Sequence, residues 1–91
     1  MKRPSQLVQL IWDYYREDPA ELARVQPLAY CTVRRRWGVL QIRCPDRQTA
    51  EAVSAASVAI ERPVRRLRLA QRVRVLARNV PVAAFSVPAR T

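Results

Sequence analysis

The chain has 91 residues, 49% of them hydrophobic, with a formal charge of +10, no histidine and one glycine. That is enough for a single domain with one modest core and leaves no room for a second lobe or an enclosed active-site cavity. Without histidine there is no Ser-His dyad, Cys-His pair or imidazole metal site, and one glycine cannot build a phosphate-cradling loop, so no enzyme and no cofactor are expected.

The placement of the charge says more than its size. Residues 1–30 sum to zero, whereas residues 31–91 hold thirteen arginines against Asp46, Glu51 and Glu61. Sixteen of the seventeen basic residues are arginine. A guanidinium grips phosphate through two parallel hydrogen bonds and stacks on bases, so the expected partner is DNA or RNA. An acidic protein partner, or a compositional bias that also favours alanine and proline, would give the same inventory. No apolar run approaches the roughly 20 residues needed to cross a bilayer. Neither an apolar run nor a small-residue cleavage site follows Met1-Lys2-Arg3-Pro4, so a cytoplasmic location without a membrane partner is expected.

In chain order, Lys2 to Ser5 form a lead-in, and Leu7, Leu10, Ile11 and Tyr14 recur at helical spacing. Asp18-Pro19-Ala20-Glu21 is a second helix start, with Asp18 as cap, Pro19 in the first turn and Glu21 placed to reach back. Two short helices over 5–17 and 19–25, closed by Pro27, follow. A β-hairpin then runs from Tyr30 to Cys44 around Trp37-Gly38. Pairing Arg36 with Val39 sets Val33 opposite Ile42 and Cys31 opposite Cys44. Cys31, Val33, Leu40, Ile42 and Cys44 then share one face, with Arg35 as its exception. Thr32, Arg34, Arg36, Gln41 and Arg43 take the other, where Val39 is the exception. A slip by one residue would oppose Arg34 to Leu40, a poorer arrangement.

Asp46 caps a helix running to about residue 60, with Ala50, Val53, Ala56 and Ile60 as its apolar stripe, broken by Arg62-Pro63. Residues 64–70 read equally as helix or strand; a short helical turn followed by a strand over 71–78 is the preferred compromise. Asn79 onward reads as a short extended segment and a loose tail. The expected domain therefore spans 1–80, with 81–91 as tail. The fold class is α+β in the order α-β-β-α-β, a three-stranded sheet with helices packed on one face.

The basic cluster is the informative constellation. Arg34, Arg36 and Arg43 share the outer hairpin face, with Arg35 beside the turn. Arg62, Arg65, Arg66, Arg68, Arg72, Arg74 and Arg78 crowd the approach to the last strand, and Arg72, Arg74 and Arg78 extend that face if the strand joins the sheet. Trp37 at the hairpin tip either stacks on a base or folds back onto the core edge. Trp12 and Tyr15 are candidates for a partner surface or the core. Cys31 and Cys44, thirteen residues apart, are expected to be two reduced core thiols rather than a disulfide. Two other functions fit the same inventory: a protein-interaction adaptor docking through the N-terminal helices, and a homo-oligomer built through the sheet edge.

The element order is that of KH-like domains, although the Gly-x-x-Gly loop that clamps nucleic acid in ordinary KH domains is missing. Within that group the chain resembles the core domain of the DciA family, bacterial proteins that load or operate the replicative helicase. The resemblance lies in Val25-Gln26-Pro27-Leu28 before the hairpin, in Gly38-Val39-Leu40-Gln41-Ile42-Arg43-Cys44, similar to the family's "G-x-L-x-V" strand, and in the elements that follow to residue 78. The family's tryptophan near the start of the next helix is replaced by Gln48 to Ala50. The resemblance implies DNA binding linked to replication and a helicase partner.

Overall fold

Ser5 opens the first helix through a side-chain oxygen that accepts a hydrogen bond from the Val8 amide at 3.2 Å. The computed structural model describes residues 5–87, so Lys2 to Pro4 of the expected lead-in, and residues 88–91 of the expected tail, lie outside the described residues. Helix α1 spans Gln6–Tyr14 and α2 spans Pro19–Arg24. Asp18 caps α2 by accepting from the Glu21 amide at 3.2 Å, but the Glu21 carboxylate turns forward to Arg24 at 3.2 Å rather than back to the cap. Pro27 does not end the helical backbone; it enters a single 3-10 turn over Gln26–Tyr30.

Strands β1 (Thr32–Arg36) and β2 (Val39–Cys44) form the hairpin in the predicted register, Arg36 to Val39 and Val33 to Ile42. Register was readable because only one alignment buries the apolar set on one side. The two-residue turn has φ of 54° at Trp37 and 75° at Gly38. Two successive positive values are the mark of a type I′ turn, whose twist matches that of the flanking strands.

The Cys31 and Cys44 sulfurs lie 3.2 Å apart as free thiols. Burial, and for Cys31 the hydrogen bond between the pair, pushes the Cys31 thiol up; burial likewise raises Cys44. Thiolate is the reactive form. Iodoacetamide near neutral pH should therefore leave the folded protein unmodified, while the denatured chain takes up two adducts by intact mass. Rapid double alkylation of the folded form would contradict this burial.

Asp46 caps α3 (Arg47–Ala55), accepting from the Thr49 amide at 2.7 Å, and this bond holds its carboxyl below the usual range. The single helix expected to residue 60 is in fact two, because the backbone breaks at Ala56 and resumes as α4 (Ser57–Arg66). Ser54 donates to the Ala50 carbonyl at 2.8 Å, a back-bond that loosens the last turn of α3. Pro63 does not break the chain as expected. It sits inside α4, buried in the core, where packing of its ring offsets the missing amide donor.

Strands β3 (Arg72–Ala77) and β4 (Val80–Ser86) complete one sheet in the order β1-β2-β3-β4. The α+β class holds, but the expected three-stranded sheet has a fourth strand, which takes in residues 81–86 of the expected tail. Pro81 lies within β4. It is tolerated because β4 is an edge strand with a register shift opposite Val75/Leu76, where a missing N–H costs no ladder bond. The Val87 amide closes the strand onto the Gln71 carbonyl at 2.8 Å. Strands β2 and β3 are parallel, and α3 and α4 supply the crossover that parallel pairing requires. The helices pack on the side that carries Val33, Leu40, Ile42, Val73 and Val75, burying them with Ile11, Leu28, Val53 and Ile60. Among the described residues, no helix is long and apolar enough to cross a membrane.

Candidate nucleic-acid interface

The pairing registers align side chains into rows across the sheet. Two rows, Arg35-Leu40-Val73-Phe85 and Val33-Ile42-Val75-Ala83, belong to the helix side. Three alternate rows take the face opposite the helices: Arg36-Val39-Arg72-Ser86, Arg34-Gln41-Arg74-Ala84 and Thr32-Arg43-Leu76-Pro81, in which Leu76 is buried and Val39 and Gln41 are half-buried. Arg34, Arg36, Arg43, Arg72 and Arg74 therefore project together from the open face, and all five are exposed. In the first two rows a neutral β2 residue separates the arginines of β1 and β3. Like charges thus stand about 10 Å apart, two strand spacings, rather than directly opposed. This spacing limits mutual repulsion while keeping a concentrated positive field.

No acid among the described residues neutralises that field. Among the described residues the ion pairs are Arg24–Glu21, Arg47–Glu51 and Arg65–Glu61, none of which uses an arginine of the open face. Asp46, the remaining acid after residue 30, is committed to its cap. Among the described residues, no cluster of three or more His, Cys, Asp or Glu could hold a metal ion.

The other candidates fall elsewhere. Arg35 points to the helix side, where its Nη1 donates to the Leu69 carbonyl at 3.3 Å. Arg78 occupies the β3–β4 turn and donates through Nε to the Pro45 carbonyl at 3.3 Å, at the rim of the face near Arg43. Arg66 is exposed at the end of α4, away from the sheet face. Arg68 and Trp37 instead line a cleft of about 640 Å³ beside the hairpin tip, together with Arg35, Arg36 and Arg65. Arg65 belonged to the basic run read from the sequence but was not singled out as a binding residue, because residues 64–70 did not declare themselves. In a helix, positions three apart share a face, which is the signal that pairs Arg65 with Arg68.

Trp37 is 90% exposed, so it does not fold back onto the core edge. Its backbone lies in the left-handed region, as do Arg68 (φ 55°) and Arg78 (φ 60°), the only other non-glycine residues there among those described. Each such placement costs on the order of 1–3 kcal/mol, and all three belong to the basic region.

The proposed partner residues divide differently. Tyr15 is 4% exposed and lies in the core, which corrects its reading as a docking residue. Trp12 is half-buried, and its indole donates to the Val25 carbonyl at 2.9 Å, fastening α1 to the end of α2. The Tyr15 hydroxyl is buried without a protein partner, and burial pushes its pKa up. Because an unpaired buried hydroxyl costs roughly 1–3 kcal/mol, Tyr15→Phe should leave stability unchanged or raise it in urea unfolding. A clear loss would mean that the hydroxyl has a partner.

No protein-family model matches the chain, and no match is found among curated proteins or solved structures.

Proposed function

We infer that the protein is a non-enzymatic module of the cytoplasm that binds nucleic acid, DNA in the first instance, by laying phosphates across the open face of its sheet. The observation that carries this reading is the convergence of Arg34, Arg36, Arg43, Arg72 and Arg74, all exposed, on the sheet face opposite the helices, with no ion-pair partner among the described residues. Guanidinium groups on a flat, regular sheet contact phosphate oxygens rather than base edges, so binding depends on charge and little on sequence. The KH-like and DciA-like readings, with their helicase partner, stand beside this as proposals resting on element order and the quoted stretches.

Titrating labelled single- and double-stranded DNA and RNA at two salt concentrations tests the function. Five phosphate contacts give a log–log salt slope of about −4.5 on duplex DNA and about −3.5 on a single strand. Between about 50 and about 200 mM salt, duplex affinity should therefore fall about 500-fold. Absence of binding at the lower salt, or binding indifferent to salt, refutes the reading.

A further inference from the structure

We propose that the cleft beside the hairpin tip is a nucleotide subsite, in which Trp37 stacks on an unpaired base while Arg65 and Arg68 hold its phosphate. The inference rests on the nucleic-acid reading and goes beyond it. The sheet face takes phosphates of any form, whereas the cleft takes a base that has left its stack.

The indole stands on a firm mount. The Gly38 carbonyl accepts from the Gln71 amide at 2.7 Å and from the Arg72 amide at 3.2 Å, tying the hairpin tip to the start of β3. A substituent on Gly38 would meet Gln71 only at ordinary contact distance, so it is the turn's positive φ that calls for glycine there. Its neighbour adopts the same left-handed backbone yet carries the bulkiest side chain, which contributes little to the core. Folding supplies no reason for tryptophan at this place; an outside aromatic partner does.

The opposite wall repeats the pattern. Helix α4 ends in a doubly bonded motif, the Leu69 amide on the Val64 carbonyl at 2.9 Å and the Arg68 amide on the Arg65 carbonyl at 3.2 Å. The residue at the left-handed position of that motif is usually glycine. Here it is Arg68, whose side chain lines the cleft. Arg65 has only a loose pairing with Glu61, at 3.7 Å, and is available to a phosphate. Leu69 and Val87 give an apolar lining under the cationic rim. A volume near 640 Å³ falls in the range of small-ligand sites. An aromatic at the lip, an apolar lining and guanidinium groups at the rim match a nucleotide part by part: base, sugar and phosphate. Arg36 borders the cleft and also stands on the sheet face, so a strand bound along the sheet leads into it.

The test compares a labelled oligothymidylate with a blunt duplex of equal length, using the full chain. Stacking on one aromatic side chain gives Trp37→Ala a loss of about 5- to 140-fold for the single strand, with duplex affinity unchanged. Trp37→Phe should keep most of the single-strand affinity. Arg68→Gly should act in the same direction as Trp37→Ala, and it puts the favoured residue at its position, so its fold is not at risk; circular dichroism and melting check both variants. Equal losses on single strand and duplex, or no loss on either, overturn the subsite while salt-dependent binding by the unaltered protein keeps the sheet reading. Failure of the unaltered protein to bind either nucleic acid removes both. Thymidine monophosphate competing as well as the oligomer would make the cleft a free-nucleotide site and overturn the strand-borne base. Competition by polyglutamate at equal charge would assign it to an acidic protein instead.

Discussion

Replacing Arg34, Arg36 and Arg43 together by Glu is expected to abolish binding to a labelled oligonucleotide and leave the circular dichroism unchanged. The three side chains lie on exposed positions of β1 and β2 and pair with no acid among the described residues, so their reversal breaks no internal contact. It turns a surface of five positive charges into one with three negative and two positive, which repels a phosphate chain. The milder series, with alanine at the same positions, leaves Arg72 and Arg74 and should lower the duplex salt slope from about 4.5 to about 1.8. The two series together separate charge from shape. Unaltered binding in the Glu variant would remove the face from consideration.

Ile42→Ala is expected to have the largest effect on stability. Strand β2 is one of the two central strands, and Ile42 lies fully buried in the row Val33-Ile42-Val75-Ala83. Truncating a buried isoleucine costs about 2–5 kcal/mol, because the transfer loss adds to a cavity the surroundings cannot fill. A domain of this size holds only about 5–14 kcal/mol in total. The melting temperature should accordingly drop by more than about 8 °C. A smaller drop would mean that the sheet and helices do not pack as tightly as their burial indicates. Exposed Gln48, in the first turn of α3, serves as control: Gln48→Ala should change stability by less than about 0.5 kcal/mol.

What the sequence discloses and what it hides follow the range of the interactions. The hairpin register was legible because polar and apolar residues alternate around a turn that needs glycine. The same alternation, carried through Arg72, Val73, Arg74 and Val75, set those arginines beside Arg34 and Arg36 once the strands joined. Even the inward direction of Arg35 was visible as an exception in the pattern. Strand β4 was legible only as a short extended segment, not as a full strand of the sheet. Val82-Ala83-Ala84 has no alternation, and the tolerance of Pro81 depends on an edge position that only tertiary structure defines. The break at Ala56 and the passage of α4 through Pro63 have the same origin, since the burial of the proline ring is a long-range fact. The cleft was missed because Arg65 and Arg68 meet Trp37 across about thirty residues of chain, and no local spacing encodes that meeting.

The parallel seam between β2 and β3 has a consequence for assembly. Each hairpin can zip from its own turn, but the seam joins Val39 to Arg72 and must wait for the whole helical crossover. The arginine surface is divided by that seam, three residues on one hairpin and two on the other. A polyanion long enough to touch both halves therefore finds its full complement only in the finished molecule. By mass action it rewards completion: at a hundred times its dissociation constant it adds about 2.7 kcal/mol to the folded state. On the proposed function, such a ligand would act as a clasp laid across the last join to close.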